Sequence, residues 1–259
     1  MATPPKQAIL IVHGAWHVPE SYAKLTTALE SSGLEVHIPR LPSVGDVRPP
    51  KGDLSSDTKT IRDYAEHLVK EGRTVVALFH SYGGQVGSNA LHGLGVEARS
   101  AEGLQGGISH LIYMTAYAVA EGTSMIDKVK EFDHMNLIPL AFDIADDSSC
   151  ASRDPKTLIV SPAPEDDMAE VDTYISTFRR WNAQCMYQAI QHAAWREMPV
   201  SYIYTTNDMT VPFDYQKSFV ETLKKEGREV QTFELVTGHC PNLTATDAVV
   251  DAVKKVISG

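Results

Sequence analysis

Thr74-Val75-Val76-Ala77-Leu78-Phe79-His80-Ser81-Tyr82-Gly83-Gly84 decides how the rest of this chain is read. The run from Thr74 to Phe79 has the Val- and Ala-rich character of a buried strand, and a helix-compatible segment, Gln85 to Leu91, follows the glycines. Between them, His-Ser-x-Gly-Gly puts a serine where strand turns sharply into helix. That setting holds a hydroxyl exposed above the end of a sheet. Glycines directly after the serine fit, because the turn presses strand against helix and leaves no room for a Cβ. The plain alternative is a serine at an ordinary helix N-cap, and the rest of the chain argues against it.

Working outward, strand-length apolar runs alternate with segments of helical period. Ala8–Val12, Glu35–Ile38, Thr74–Phe79, His110–Met114, Val200–Tyr204 and Val230–Leu235 read as strands. Pro19–Ser32, Asp57–Glu71, Phe213–Lys225 and Thr246–Ile257 read as amphipathic helices; in the second of these Ile61, Tyr64, Ala65, Leu68 and Val69 make one stripe. Such alternation predicts an α/β fold with a mostly parallel sheet flanked by helices. Pro39–Ser56 reads as a long loop and Gly93–Gly107 as a glycine-rich connection. The segment from Ala118 to Met198 breaks the rhythm, with helical pieces around Thr123–Phe132 and Asp166–Ala194 and no clear buried strand. We therefore expect a core of residues 1–117 and 199–259 and a helical cap inserted at 118–198.

At 259 residues, with 43% hydrophobic and 22% charged side chains, the chain suits one large globular α/β domain. A net charge of −10 argues against nucleic acid or an anionic membrane as partner. The polar stretch before Ala8 and the shortness of Ala8–Val12 argue against a signal peptide. Three widely spaced cysteines, Cys150, Cys185 and Cys240, do not make a disulfide framework. The expectation is a cytoplasmic protein. A homodimer stays open.

A serine hydroxyl is a weak nucleophile that needs a base, and the base needs an orienting group. His239, in Thr237-Gly238-His239-Cys240-Pro241, lies just after the last strand; Asp208, in Asn207-Asp208-Met209, lies just after the strand before it. A lone histidine there is an ordinary loop residue and a lone aspartate an ordinary cap. Three such residues at three strand ends, in the order Ser81, Asp208, His239, follow the chain order of α/β-hydrolases rather than of chymotrypsin-like or subtilisin-like proteases. His13-Gly14-Ala15-Trp16 after the first strand offers a tight glycine turn. Its Ala15 N–H and the Tyr82 N–H are the candidate oxyanion donors. Among ten histidines no HExxH pattern occurs, nor is there a Cys-x-x-Cys pair, a GxGxxG or a Walker-type loop, so neither metal nor cofactor is expected.

With these pieces in place the chain resembles the α/β-hydrolase superfamily, above all the small cap-bearing branch that includes plant methyl esterases, hydroxynitrile lyases and uncharacterised microbial hydrolases. The resemblance runs from Ile9 through Ile257 and is weakest in the cap. It implies the family fold, a serine nucleophile and no cofactor. One departure stands out: where the usual elbow has glycine two residues before the serine, this chain has Phe79. Against the lyases, the residue after the candidate histidine is the neutral Cys240 where they carry lysine, and Gly14 stands where they carry a hydroxyl residue. Both differences point to ester hydrolysis.

The substrate should sit between elbow and cap. Trp16, Tyr117, Trp181, Tyr187 and Trp195 are candidate lining residues, with packing inside the cap as the plain alternative. The leading expectation is a serine hydrolase of small carboxylic esters or lactones working through an acyl-enzyme. A non-hydrolytic lyase or cyclase, or a carbon–carbon bond-cleaving enzyme on a polyketide-like substrate, can use the same triad. A ligand-binding receptor that keeps the site without turnover is the third reading.

Overall fold

The computed structural model describes residues 7–258; residues 1–6, the polar stretch expected before the first strand, and residue 259 lie outside the described residues. In chain order the strands are β1 (Gln7–Val12), β2 (Glu35–His37), β3 (Thr74–His80), β4 (Gly107–Met114), β5 (Phe142–Ile144), β6 (Ser149–Ser152), β7 (Trp181–Asn182), β8 (Val200–Thr205) and β9 (Val230–Leu235). The helices are α1 (Ala23–Ser31), α2 (Leu54–Lys70), α3 (Gly83–Ala90), α4 (Val96–Ala101), α5 (Met125–Glu131), α6 (Ile138–Ala141), α7 (Met168–Ser176), α8 (Phe213–Lys225), α9 (Pro241–Thr244) and α10 (Thr246–Ser258).

Six strands form the central sheet in the order β2-β1-β3-β4-β8-β9, and every neighbouring pair is parallel. Side chains alternate between its faces. Ala8, Leu10 and Val12 of β1 join an apolar cluster with α2, α3 and α8, whereas Ile9 and Ile11 join a second cluster with α1 and α10. Strands covered on both sides must be apolar at every position, which is why β1 and β3 read as unbroken hydrophobic runs. Each fully buried Leu or Ile in them contributes about 1.5–3 kcal/mol. At the sheet edge, β9 is only half buried and carries Gln231 and Glu234.

Helix α2 starts a turn earlier than its apolar stripe suggests. Asp53 is the N-cap, its carboxylate accepting from the Ser56 N–H at 3.0 Å. Asp57 therefore lies inside the helix, fully buried, rather than at its exposed start. The segment expected as one helix from Pro19 splits into a 3-10 turn, Pro19–Tyr22, and α1. The glycine-rich connection holds α4, and β4 begins at Gly107 rather than His110.

The segment between β4 and β8 is less helical than expected. Beside α5, α6 and α7 it contains a three-stranded antiparallel sheet, β5-β6-β7. The helix expected over Asp166–Ala194 stops at Ser176. Beyond it the backbone bonds outward instead of to itself: Arg179 N–H donates to Trp16 O at 2.9 Å, Arg180 O accepts from Gly45 N–H at 2.9 Å, and Asn182 N–H donates to Ser43 O at 3.0 Å. Those partners hold 179–182 extended against the loop expected at Pro39–Ser56. Cap side chains such as Trp181 and Val171 share one cluster with the sheet face below. No described helix is long and apolar enough to cross a membrane.

Candidate active site

Five loops leave the C-terminal ends of β1, β3, β4, β8 and β9, and they bring together the residues singled out in the sequence. Ser81, directly after β3, has φ +54°, a left-handed conformation rare outside glycine. Such strain at a chemically useful residue marks a candidate functional site. A Cβ on Gly83 would lie 2.0 Å from Val12 O, and one on Gly84 would lie 2.7 Å from Tyr117 O. The turn thus packs its glycines onto the backbones following β1 and β4, for the reason read from the sequence. Gly14 is pressed from the other side: a Cβ there would meet Ser81 Cβ at 3.0 Å and His80 Nδ1 at 3.3 Å.

Phe79 does not disturb this turn. Its ring is fully buried and lies over Gly87 of α3, where a Cβ would come within 2.2 Å of Cε1. A glycine one helical turn into α3 supplies the space that the usual small residue before the serine would otherwise leave.

Asp208 and His239 are in contact: Nδ1–H of His239 donates to Asp208 Oδ2 at 2.6 Å, with both side chains buried. Four more donors converge on that carboxylate. Oδ2 accepts from Thr115 Oγ1 at 2.5 Å and Thr205 Oγ1 at 3.1 Å. Oδ1 accepts from the N–H groups of Thr210 at 2.7 Å and Val211 at 2.8 Å. A carboxylate with five donors is fixed in place and stays an acceptor. Among the described residues His239 Nε2 has no protein partner, nor has the Ser81 hydroxyl, 3% exposed in relative terms. The two are not hydrogen-bonded to each other here; such bonds are often long without substrate and tighten in the complex.

Sequence reasoning missed the network behind these residues. A carbonyl only accepts, so His80 Nε2–H donates to His239 O at 2.7 Å. His80 Nδ1 then accepts from the Tyr22 hydroxyl at 2.6 Å, and Tyr22 Oη accepts from Gly14 N–H at 3.1 Å. The glycine turn, the residue before the serine and the loop of the histidine are thereby tied into one chain of bonds. The usable signal was His80 itself, a polar ring at the end of a strand buried on both faces, which must find partners. Burial, and next the neighbouring His239, pushes the His80 pKa well down. Burial likewise lowers His13 to about 4 and His17 to about 3. All three are neutral hydrogen-bonding rings at ordinary pH.

A second buried carboxylate, Asp57, accepts from Ser43 N–H at 2.9 Å, Ser43 Oγ at 2.5 Å and the Tyr82 hydroxyl at 2.8 Å. Desolvation pushes its pKa up to about 6. Through Tyr82 it holds the residue directly after Ser81. The candidate oxyanion donors, Ala15 N–H and Tyr82 N–H, flank Ser81, and neither donates to a backbone acceptor among the described residues. Among those residues no group of three or more His, Cys, Asp and Glu side chains converges as a metal ligand set would.

A cavity of about 90 Å³ opens beside Ser81. Trp16, Tyr117 and Trp181 line it, together with Ala15, Phe142 and residues of α5. Trp195 and Tyr187 do not. Trp195 is fully buried, its Nε1–H donating to Val119 O at 2.9 Å, and Tyr187 faces solvent at 49% exposure. The polar members of the lining missed by sequence reasoning are His134, Thr210 and Tyr215.

Residues 9–252 match the family model described as "Alpha/beta hydrolase family". Alpha/beta hydrolase nvfD from Aspergillus novofumigatus is 29% identical over 252 residues, covering 96% of each chain. Probable hydrolase R7 from a Phoma species is 26% identical over 257 residues, covering 97% of this chain and 98% of that one. Among solved structures, a methylesterase protein, MES16 from Arabidopsis, superposes with a TM-score of 0.74 at 16% identity, covering 98% of this chain and 99% of its own.

Proposed function

The chain belongs to the alpha/beta hydrolase family, and from that premise we propose that it hydrolyses small carboxylic esters, lactones included, through an acyl-enzyme on Ser81. Ser81 Oγ attacks the carbonyl carbon while His239 Nε2 takes its proton. Asp208 keeps Nδ1–H pointing away from the serine and stabilises the imidazolium. The negative charge on the carbonyl oxygen is received by the Ala15 and Tyr82 N–H groups. Collapse expels the alcohol, which takes the proton back from His239. Water, deprotonated by the same nitrogen, then releases the acid.

The observation that carries this reading is the His239–Asp208 contact at 2.6 Å, whose histidine loop is bonded to His80, the residue before the strained, cavity-lining Ser81. The names of the relatives, hydrolases and a methylesterase, point the same way. A cavity of about 90 Å³ is smaller than the roughly 150 Å³ void that accepts benzene. That volume favours a short acyl or alkyl chain.

The test is labelling with a small fluorophosphonate, mapped by peptide mass spectrometry. Modification at Ser81 that is lost in His239→Ala supports the reading, and absence of labelling overturns it. Ser81→Ala should keep the fold and lose all turnover. Product analysis in ¹⁸O water separates hydrolysis from lyase or cyclase chemistry, because only hydrolysis places the label in the acid.

A further inference from the structure

The lining of the cavity beside Ser81 includes more polar side chains than an ester requires. No Asp, Glu, Lys or Arg lines it, and most of its wall is aliphatic, aromatic or thioether. The ester's own carbonyl oxygen is served by backbone N–H groups. The Thr210 hydroxyl is committed to Leu158 O at 2.5 Å. Besides Ser81, four further polar side chains remain: Trp181, His134, Tyr215 and Tyr117.

Trp181 is the clearest of them. It is 1% exposed and its Nε1 has no partner among the described residues. The other two tryptophans are satisfied: Trp16 Nε1–H donates to Cys150 O at 3.1 Å and Trp195 Nε1–H to Val119 O at 2.9 Å. A buried donor left unpaired forfeits its hydration with no return, so native proteins keep few of them. Trp181 is also held rigidly, between the Trp16 ring at 5.6 Å and the Tyr82 ring at 4.9 Å. It cannot swing to find a carbonyl.

The second group is a pair: His134 Nδ1 and Tyr215 Oη are 2.8 Å apart. An imidazole and a phenol carry at least two mobile protons between them, and the bond joining them uses one. Whichever tautomer holds, one N–H or O–H is left over for a ligand. Both residues line the cavity.

Resting on the ester-hydrolase reading above, we propose that the substrate is a short, neutral ester bearing a second carbonyl oxygen, as in a 3-oxo ester, and that the Trp181 indole N–H donates to that oxygen. The surplus groups are donors, so they call for an acceptor. No Lys or Arg lines the wall among the described residues, which disfavours a carboxylate as that acceptor, since a buried unpaired charge is far costlier than a buried ketone. The leftover donor of the His134–Tyr215 pair serves the same end of the substrate.

The test uses Ser81→Ala, so that binding is read without turnover, and the three indole ¹⁵N–¹H signals, assigned by replacing each tryptophan with Phe. Methyl acetoacetate and methyl 3-methylbutanoate have nearly the same shape and differ by a ketone oxygen in place of a methyl group. The keto ester should move the Trp181 indole proton downfield and bind at least about tenfold more tightly. The branched ester should leave that proton in place. In Trp181→Phe the preference should fall to about two-fold or less. Equal binding of the two esters, or a Trp181 signal that neither moves, overturns the proposal. Fluorophosphonate labelling of Ser81 in the wild-type protein, run alongside, tells failure of this inference from failure of the hydrolase reading.

Discussion

Gly87→Ala puts a methyl group into the Phe79 ring. The new Cβ would sit 2.2 Å from Cε1, 2.5 Å from Cζ and 2.6 Å from Cδ1. The ring has little freedom to retreat, because it is fully buried and stands edge-on to Tyr113 at 5.1 Å. Overpacking of this kind costs about 1–3 kcal/mol. Alanine in a helix returns about 1 kcal/mol relative to glycine, so the net loss should be about 0–2 kcal/mol. Phe79→Leu alone, which removes buried ring atoms, should cost about 1–2 kcal/mol. In the double variant the shorter side chain vacates the contested space while the helix gain remains. The two changes should therefore couple favourably by about 1–3 kcal/mol. Urea unfolding of all four proteins measures this, and the fluorophosphonate labelling rate at Ser81 reports whether the turn moves with the ring. Additivity within about 0.5 kcal/mol would refute the idea that Gly87 makes room for Phe79.

Thr115→Val keeps the branched shape but takes one of the five donors from Asp208. Loss of a bond to a charged group, about 1.5–3 kcal/mol, should slow Ser81 labelling roughly tenfold to a hundredfold with little change in fold, as followed by labelling kinetics and circular dichroism. The raised pKa of Asp57, about 6 against an ordinary 3.8, gives a pH dependence of stability. Its protonated form is favoured by folding, so that contribution is present at low pH and is lost as pH rises through 6. Between pH 4 and pH 8 the wild type should lose about 2–3 kcal/mol more stability than Asp57→Asn, measured by urea unfolding. Equal pH dependence would show that Asp57 is not desolvated in the folded protein.

The parallel sheet was legible because strands buried on both faces leave no polar position, and the candidate site because its residues follow directly on those strands. Ser81, Asp208 and His239 each stand within four residues of a strand end, so finding the strands nearly located them. What the sequence hid was carried by long-range backbone contacts. β7 is two residues long and exists because Cys150 and the Ser43 loop pair with it, which no local period encodes. The same blindness merged Trp181 with Trp195. Both are buried aromatic residues of the cap, but one faces the cavity and the other donates to Val119. Phe79 looked like a defect for a related reason: its compensation, Gly87, lies eight residues on and is informative only once the helix is seen to fold back over the strand.

The cluster of neutral imidazoles has a consequence for proton traffic. His17 and His80 touch the loop that carries His239, and His13 lies in the neighbouring glycine turn; burial holds each of the three uncharged well below neutral pH. On the proposed mechanism, the proton that leaves the serine therefore has one destination. Three rings that look like rival bases are insulated against protonation and act as fixed dipoles, while Asp208 faces only His239 among them. Selectivity for a single proton acceptor is thus set by which buried ring is paired with a carboxylate, and not by how many histidines the chain gathers.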